Sequence, residues 1–288
     1  MQNPVTRALI VTACDENHYE FGLDLITSLR DLGLNGAKVA FVDMGTGGAP
    51  EPLVRRFDLY ERQTVETDQY KGYKTAFLSI KPRLPTIFPG FDTYIWIDAD
   101  CWVQSASVVG KLVDAAQMAD IAAHPELDIH YFRYKMPADR TINFYKNLYG
   151  DDICEKMCRF PMMSAGVFSA RSDSKLWAVW SNAMAILRSR WELGTDLRFS
   201  DQIPLHLLIH TNKLSMFPLK AVDNWQLYAA LPLIDTERKR VVTPTPPHEE
   251  INIIHLAGPS KKSQYYSQHL RKNISYRYRD IKQLFSQS

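Results

Sequence analysis

The chain is poor in cysteine and contains no long apolar run. Its four cysteines, Cys14, Cys101, Cys154 and Cys158, form no CxxC pair, so neither a disulfide scaffold nor a zinc ribbon is indicated. The longest uncharged run, residues 176–187, is far shorter than the roughly 20 residues that a membrane-spanning helix needs. The sequence therefore predicts reduced thiols and no segment that crosses a bilayer.

The first residues also lack the pattern of a secretory signal. Residues 1–6 are mostly polar, and the apolar stretch 8–13 is too short to form the core of such a signal. With 45% hydrophobic and 23% charged residues, the 288-residue chain can bury a sizeable core in one large domain or two small ones. We therefore expect a globular cytoplasmic protein.

Excess positive charge is confined to the C-terminal segment. The formal net charge is +2, and residues 261–288 hold seven lysines and arginines against one acid, Asp280. Four tyrosines are interleaved with them: Tyr265, Tyr266, Tyr276 and Tyr278. Such a segment could lie on anionic lipid headgroups at the inner face of a membrane, or form a solvated helix face. We divide the chain into a main domain, 1–260, and a basic, aromatic extension, 261–288, and expect no nucleic-acid partner.

Apolar periodicity in the first hundred residues predicts an α/β fold. The runs 8–13, 39–42 and 94–97 are short and apolar, which is typical of buried strands. Between the first two runs, apolar residues recur at helical spacing from Phe21 to Leu32, and Gly33 follows as a stop signal. Strands that alternate with helices form a mainly parallel sheet with helices on both faces.

Two acidic residues, Asp98 and Asp100, directly follow the run 94–97. A DxD triplet arises by chance about once in a chain of this composition, so its position carries the information. At the carboxyl end of a strand, where open α/β sheets bind ligands, alternation would point both carboxylates to one side and Ala99 to the other. Such a pair can hold Mg²⁺ or Mn²⁺, which keep open positions for substrate phosphates. The alternative is an acidic turn in solvent.

A histidine and a lysine follow another apolar run near the C-terminus. His255 comes after residues 251–254, which predict a strand ending at the same sheet edge as the acidic pair. A lone histidine is more often structural, but this imidazole is a candidate third metal ligand, and it favours Mn²⁺ slightly over Mg²⁺. At fixed offsets, Gly258 permits a tight turn and Lys261 supplies a cation for phosphate.

Taken together, these motifs resemble those of GT-A glycosyltransferases of the retaining family 8, which includes bacterial lipopolysaccharide galactosyl- and glucosyltransferases and glycogenin. The resemblance spans about residues 8–261 and implies a Rossmann-like GT-A fold that binds a UDP-sugar through Mn²⁺. In that family a DxD and the histidine of an HxxGxxK motif hold the metal. The implied metal ligands here are Asp98, Asp100 and His255.

The resemblance also implies donor-binding and catalytic residues. Residues 12–17 resemble the family's uridine segment, and 164–166 resemble its Asn-Ala-Gly with serine in place of asparagine. Asp201 and Gln202 resemble its Asp-Gln pair beside the donor sugar. Gln202 would steady positive charge on the sugar, and Asp201 would be the one nearby candidate for a covalent nucleophile. The implied donor-binding residues are Thr12, Ala13, Asp15, Asn17, Lys81, Asp98, Ala99, Asp100, Ser164, Ala165, Gly166, Gly258 and Lys261.

The implied function is metal-dependent transfer of a hexose from a UDP-sugar to an acceptor hydroxyl, with retention of configuration. The acceptor stays open among a glycan, a lipid-linked sugar and a protein. One rival is a haloacid-dehalogenase-like phosphatase, but that class usually carries its DxD on the first strand, and here the first strand is followed by Asp15 and Glu16. The other rival is a catalytically silent sugar-nucleotide-binding protein.

Overall fold

The computed structural model describes residues 4–34, 36–45, 47–62, 69–70, 73–74, 79–131, 139–192, 200–267 and 270–287. Its strands are β1 (Ala8–Cys14), β2 (Lys38–Asp43), β3 (Leu59–Arg62), β4 (Gln69–Tyr70), β5 (Tyr73–Lys74), β6 (Thr93–Ile97), β7 (Cys101–Val103), β8 (Ile121–Pro125), β9 (Met163–Arg171), β10 (Met216–Pro218), β11 (Trp225–Gln226), β12 (Leu233–Asp235), β13 (Arg240–Val242), β14 (Ile253–His255), β15 (Tyr265–Ser267) and β16 (Lys272–Ile274). Its α-helices are α1 (Tyr19–Leu32), α2 (Glu51–Val54), α3 (Leu84–Ile87), α4 (Ser107–Ala116), α5 (Asp139–Tyr149), α6 (Asp151–Met157), α7 (Leu176–Glu192), α8 (Gln202–His210) and α9 (Tyr278–Gln287).

A seven-stranded sheet forms the centre of the fold, in the order β10-β8-β9-β6-β1-β2-β3. Within it, β9 pairs antiparallel with both of its neighbours, and the other neighbouring pairs are parallel. The strands predicted at 8–13, 39–42 and 94–97 are β1, β2 and β6. The prediction of a mainly parallel α/β sheet is therefore confirmed.

Both faces of this sheet are buried under helices. In β1, Leu9 and Val11 belong to one core cluster, and Ala8 and Ile10 belong to the cluster on the opposite face. Residues of α7 and α8 complete the first cluster, and residues of α1 and α4 complete the second. Side chains alternate across a strand and both sides meet apolar helix faces, so these strands are apolar throughout.

A smaller sheet of three strands, β11-β14-β7, stands beside the central one. In it β14 runs antiparallel to β7 and parallel to β11. The prediction that the strand before His255 ends at the edge of the central sheet is wrong. After the turn at residues 98–100 the chain leaves the central sheet. Its next strand, β7, pairs with β14, so His255 lies opposite Cys101.

The C-terminal extension packs against α1 through ion pairs. The Asp24 carboxylate, in a residue only 6% exposed, accepts hydrogen bonds from Nε of Arg277 at 2.8 Å and Nε of Arg279 at 2.7 Å. Lys282 pairs with Asp31, also on α1. Part of the basic charge is thus offset within the fold, and contact with anionic lipid stays a prediction. Within the described ranges, no helix combines the length and apolarity needed to cross a membrane.

A buried histidine on α8 gives a pH-dependent stability. Burial, followed by the nearby His210, lowers the pKa of His206 to about 3, and the ring contacts the Tyr145 hydroxyl at 2.5 Å. In the unfolded chain this histidine takes up a proton near pH 6.5, whereas the folded chain does not. The free energy of unfolding therefore decreases as the pH falls below about 6.5, by up to about 1.4 kcal/mol per pH unit, because the folded state keeps His206 neutral.

Comparison with a variant isolates this effect from the other titrating groups. Urea unfolding between pH 6.5 and pH 4.5 is expected to show a shallower loss of stability for His206→Gln than for the natural chain. Glutamine keeps a hydrogen-bonding group beside Tyr145 but takes up no proton in this range. Equal slopes for the two proteins would contradict the prediction.

Candidate active site

One cavity, of about 530 Å³, lies beyond the carboxyl end of β6. The residues around it come from the turn before α3, the turn after β6, the residue after β8, the start of β9, the start of α8, and the ends of β11 and β14 with the segments that follow them. They are Lys81, Asp98, Asp100, Glu126, Ser164, Ala165, Gly166, Asp201, Gln202, Gln226, Tyr228, His255, Ala257, Gly258, Pro259 and Lys261. The cavity occupies the place where open α/β sheets bind ligands.

The acidic pair occupies a turn, so alternation along an extended strand does not set its orientation. The Cys101 N–H donates to the Asp98 carbonyl at 3.0 Å and closes this turn. Both carboxylates still line the cavity, while Ala99 belongs to the apolar core beneath it. The Trp96 indole N–H donates to Asp98 Oδ1 at 2.6 Å and fixes that carboxylate.

Lys81 forms a buried ionic link across one side of the cavity. Its ammonium lies 2.6 Å from Asp201 Oδ2 and 3.1 Å from Asp98 Oδ1, and it donates to the Ala165 carbonyl at 2.8 Å. The residue is only 3% exposed. Burial alone would lower the pKa of Lys81, but Asp201 and Asp98 outweigh burial and raise it. Lys81 therefore stays charged and holds the two carboxylates in place.

The other carboxylate, Asp100, contacts a different pair of bases. Asp100 Oδ2 lies 3.0 Å from the Lys261 ammonium, and Asp100 Oδ1 lies 3.4 Å from His255 Nε2. Burial alone would raise the pKa of Asp100, but His255 and Lys261 hold it below its ordinary value. For Asp98, in contrast, burial outweighs Lys81 and raises the pKa. The two carboxylates therefore differ in acidity although one residue separates them.

The orientation of His255 is fixed by an amide. Its Nδ1 lies 3.0 Å from Asn224 Oδ1, and the Asn224 amide donates to Ser164 Oγ at 2.9 Å. An amide oxygen only accepts, so Nδ1 carries the hydrogen and Nε2 is directed toward Asp100. Burial alone would lower the pKa of His255, but Asp100 and then Asp98 outweigh burial and raise it.

These donors fit a divalent cation. The Asp100 carboxylate and the His255 imidazole converge, and the second ring nitrogen of His255 is held by a neighbouring amide, which resembles the support that metal-ligating histidines receive. The Cys101 thiol lies within 4.8 Å of ligand atoms of Asp100 and His255. Burial raises the pKa of Cys101, so its thiol stays protonated and is the poorer ligand. Asp98 lines the same cavity but does not belong to this group of ligand atoms, so the set Asp98, Asp100 and His255 stays a prediction.

Gln202 is held by a second pair of residues that the sequence did not reveal. Its amide nitrogen donates to Glu126 Oε1 at 2.7 Å, and the Tyr228 hydroxyl donates to Glu126 Oε2 at 3.1 Å. A carboxylate only accepts, so the Gln202 amide nitrogen must face it and its oxygen points away. The expectation that Asp201 is the one nearby candidate nucleophile is wrong, because Glu126 lines the same cavity.

The predicted uridine segment lies next to the cavity but does not line it. Asp15 Oδ1 contacts His18 Nδ1 at 2.7 Å and accepts the Asn17 N–H at 3.2 Å. His18 Nε2 in turn lies 3.4 Å from the Lys261 ammonium. Thr12 is fully buried in β1. The segment 12–17 is thus joined to the cavity through His18.

Most predicted residues converge, and a few lie apart. Those that line the cavity are Lys81, Asp98, Asp100, Ser164, Ala165, Gly166, Asp201, Gln202, His255, Gly258 and Lys261. Those outside its lining are Thr12, Ala13, Asp15, Asn17 and Ala99. Sequence reasoning missed Trp96, Glu126, Asn224, Gln226 and Tyr228. Of these, Trp96 could have been found from the sequence, because it lies two residues before Asp98 in the same motif.

Comparison with known proteins gives similarity in structure alone. No family model and no curated protein matches the sequence. Among solved structures, the chain is similar to the galactosyltransferase LgtC in complex with donor and acceptor sugar analogs, with 12% identity, a TM-score of 0.56 and coverage of 97% of this chain and 95% of LgtC. An active-site glutamine-to-glutamate variant of LgtC gives the same values.

A further similar structure is the bifunctional glycosyltransferase WbbM in its apo form. The identity is 15% and the TM-score 0.59, and the match covers 98% of this chain but 50% of WbbM. The likeness to both proteins extends over nearly all of this chain. The chain therefore has the GT-A fold of these glycosyltransferases.

Proposed function

We propose that the protein is a metal-dependent glycosyltransferase that moves a hexose from a UDP-sugar to an acceptor hydroxyl with retention of configuration. The observation that carries this proposal is the convergence of the acidic pair, His255, Lys81 and Lys261 around one cavity. Because a fold alone does not establish an activity, the argument rests on the chemistry of these groups.

The charge of the cavity supports a metal-dependent donor site. Its lining holds four carboxylates, from Asp98, Asp100, Glu126 and Asp201, and two ammonium groups. With all four carboxylates ionised, the net charge is −2 when His255 is neutral and −1 when it is protonated, and either charge would repel a diphosphate. Bound Mn²⁺ or Mg²⁺ would offset this charge and stabilise the departing diphosphate as a Lewis acid. The ligands would be Asp98, Asp100 and His255.

The chain's own groups then have separate roles. Lys261, whose side chain is 26% exposed, would add positive charge beside the leaving diphosphate. The Gly258 backbone, with φ of 60°, forms the turn that brings Lys261 back to Asp100. Asp15 and Asn17, joined to Lys261 through His18, would contact the uridine.

The arrangement around the sugar favours direct transfer on one face. The Asp201 charge is offset by Lys81 at 2.6 Å, which makes this carboxylate a weak nucleophile. The Gln202 amide oxygen, turned away from Glu126, would steady positive charge that develops on the sugar. The acceptor hydroxyl would attack from the face that the diphosphate leaves, and the diphosphate would take the proton.

Calorimetric titration of UDP tests the donor site. We expect UDP to bind in the presence of Mn²⁺ and to bind at least about 100-fold more weakly in EDTA, because the cavity then keeps its net negative charge. The double variant Asp98→Asn/Asp100→Asn is the matched control, and its affinity should not respond to Mn²⁺. Absence of UDP binding under both conditions would overturn the proposal.

The chemical outcome is tested separately. UDP binding without hydrolysis or transfer, across many acceptors, would favour the silent sugar-nucleotide binder. Release of phosphate from a generic ester would favour the phosphatase. NMR of a transfer product that showed an inverted anomeric centre would exclude the retaining route.

A further inference from the structure

A second cavity, of about 730 Å³, lies between the β12–β13 hairpin and strand β15. We call it the hairpin groove. The residues of its lining that matter here are Leu231, Leu233, Glu237, Arg238, Tyr266 and Tyr276. None of them belongs to the lining of the candidate active site.

The groove exposes apolar surface that the fold leaves uncovered. Leu231 is 38% exposed, Leu233 44% and Tyr266 63%, and they are three of the nine large hydrophobic residues that are exposed in the described part of the chain. Clustered exposed apolar groups rimmed by polar ones mark ligand grooves more often than scattered single residues do.

The floor of the groove is held rigid. The Tyr276 hydroxyl donates to the Pro232 carbonyl at 2.8 Å, and the rings of Tyr265 and Tyr276 pack edge to face with centroids 6.0 Å apart. Hydrogen bonds from the backbone N–H groups of Glu237 and Arg238 to the Asp235 carboxylate fix the turn on the opposite wall. A preformed groove of this kind loses little entropy when a ligand binds.

The polar groups of the groove suit a neutral ligand with many hydroxyls. The acidic and basic residues of the lining, Asp235, Glu237 and Arg238, have a formal net charge of −1, which does not favour lipid phosphate or nucleic acid. Tyrosine rings offer flat apolar faces with a polar tip. Carboxylate, guanidinium and hydroxyl groups around such rings can accept and donate hydrogen bonds to sugar hydroxyls.

Two chain segments connect the groove to the candidate active site. Tyr228 lines the active-site cavity and Leu231 lines the groove, and three residues of chain reach at most ~11 Å. Likewise, Lys261 lines the active-site cavity and Tyr265 lines the groove, and the four residues of chain from one to the other reach at most ~14 Å. The Trp225 indole N–H donates to the Ala230 carbonyl at 2.8 Å and fixes the first connection.

We propose that the hairpin groove binds the part of a linear, neutral oligosaccharide acceptor that lies beyond the reacting sugar. This inference rests on the proposed function. The acceptor end enters the active-site cavity, and the following sugars stack on Tyr266 and contact Leu231, Leu233 and the charged turn. The acceptor is accordingly a glycan of several units, since a single sugar would not reach the groove.

An array of linear neutral oligosaccharides, with two to eight hexose or N-acetylhexosamine units in α- and β-linkages, tests the groove. With UDP and Mn²⁺ present, we expect retention of at least one series to rise with chain length. Tyr266→Ser and Leu233→Ser should each weaken binding of the long members roughly tenfold and leave the two-unit members unchanged. Met118→Ser removes another exposed apolar side chain, 69% exposed, and should change nothing.

The outcomes separate this inference from the proposed function. Calorimetry of UDP with Mn²⁺ on the same variants reports the donor site, and neither groove substitution should alter it. Normal UDP binding without retention of any oligosaccharide overturns the groove proposal alone, as does length-dependent retention that both substitutions leave intact. Absence of UDP binding to the natural chain would contradict the proposed function instead.

Discussion

Lys81→Met is expected to lower the free energy of unfolding by about 3–5 kcal/mol and to remove transfer activity. Methionine matches the apolar stem of lysine but leaves the carboxylates of Asp98 and Asp201 without the cation that lies 3.1 and 2.6 Å from them. Breaking a buried ion pair by removing one partner leaves uncompensated charge, which costs far more than the pair itself contributes. Urea unfolding at pH 8, followed by circular dichroism, measures the loss.

A matched control separates this effect from the mere loss of a lysine. Lys111 is an exposed lysine on α4. Lys111→Met should change the free energy of unfolding by no more than about 0.5 kcal/mol. If Lys81→Met were as stable as the natural chain, the two carboxylates would not depend on this ammonium, and the stabilising role of the ionic link between Lys81, Asp98 and Asp201 would be refuted.

The central sheet was predictable because local patterns decide it. Runs 8–13, 39–42 and 94–97 are apolar on both faces, and helices cover both faces of β1, β2 and β6. The acidic pair was also predictable, since its position after a strand places it at the ligand-binding edge whatever the local backbone does. Short stretches of the sequence are therefore enough to predict these features, because local residue patterns determine them.

The support of the site was not predictable in this way. Asn224 orients His255 across 31 residues, and Glu126 holds Gln202 across 76. Neither residue lies in a motif, because each is placed by the tertiary fold. The position of β14 is likewise set by the tertiary fold. Its partner, β7, follows a turn at which the chain leaves the central sheet, and apolar periodicity does not reveal that turn. The apolar run before His255 therefore predicted a strand correctly, but it did not reveal that this strand belongs to the smaller sheet.

Gly166→Ala is expected to weaken Mn²⁺-dependent UDP binding by about 10- to 100-fold, as loss of metal-site support commonly does. A Cβ on Gly166 would lie 2.3 Å from His255 Cε1 and 3.0 Å from Asp98 Oδ2. His255 is buried and its Nδ1 is bonded to Asn224, so a shift of the imidazole away from the added methyl group would break this hydrogen bond. The added methyl group must displace the imidazole or the backbone of β9, and either change separates the predicted metal ligands. Calorimetry with Mn²⁺ alone, then with UDP, measures both affinities.

Gly110→Ala is the matched control for this substitution. Gly110 lies within α4, and a Cβ there would meet no atom within 4 Å. Alanine should therefore stabilise the helix by about 0.5–1 kcal/mol and leave both affinities unchanged. Overpacking at Gly166 should cost about 1–3 kcal/mol of stability. A folded Gly166→Ala protein that bound Mn²⁺ and UDP normally would show that His255 is not a ligand, because its imidazole cannot keep its place beside that methyl group.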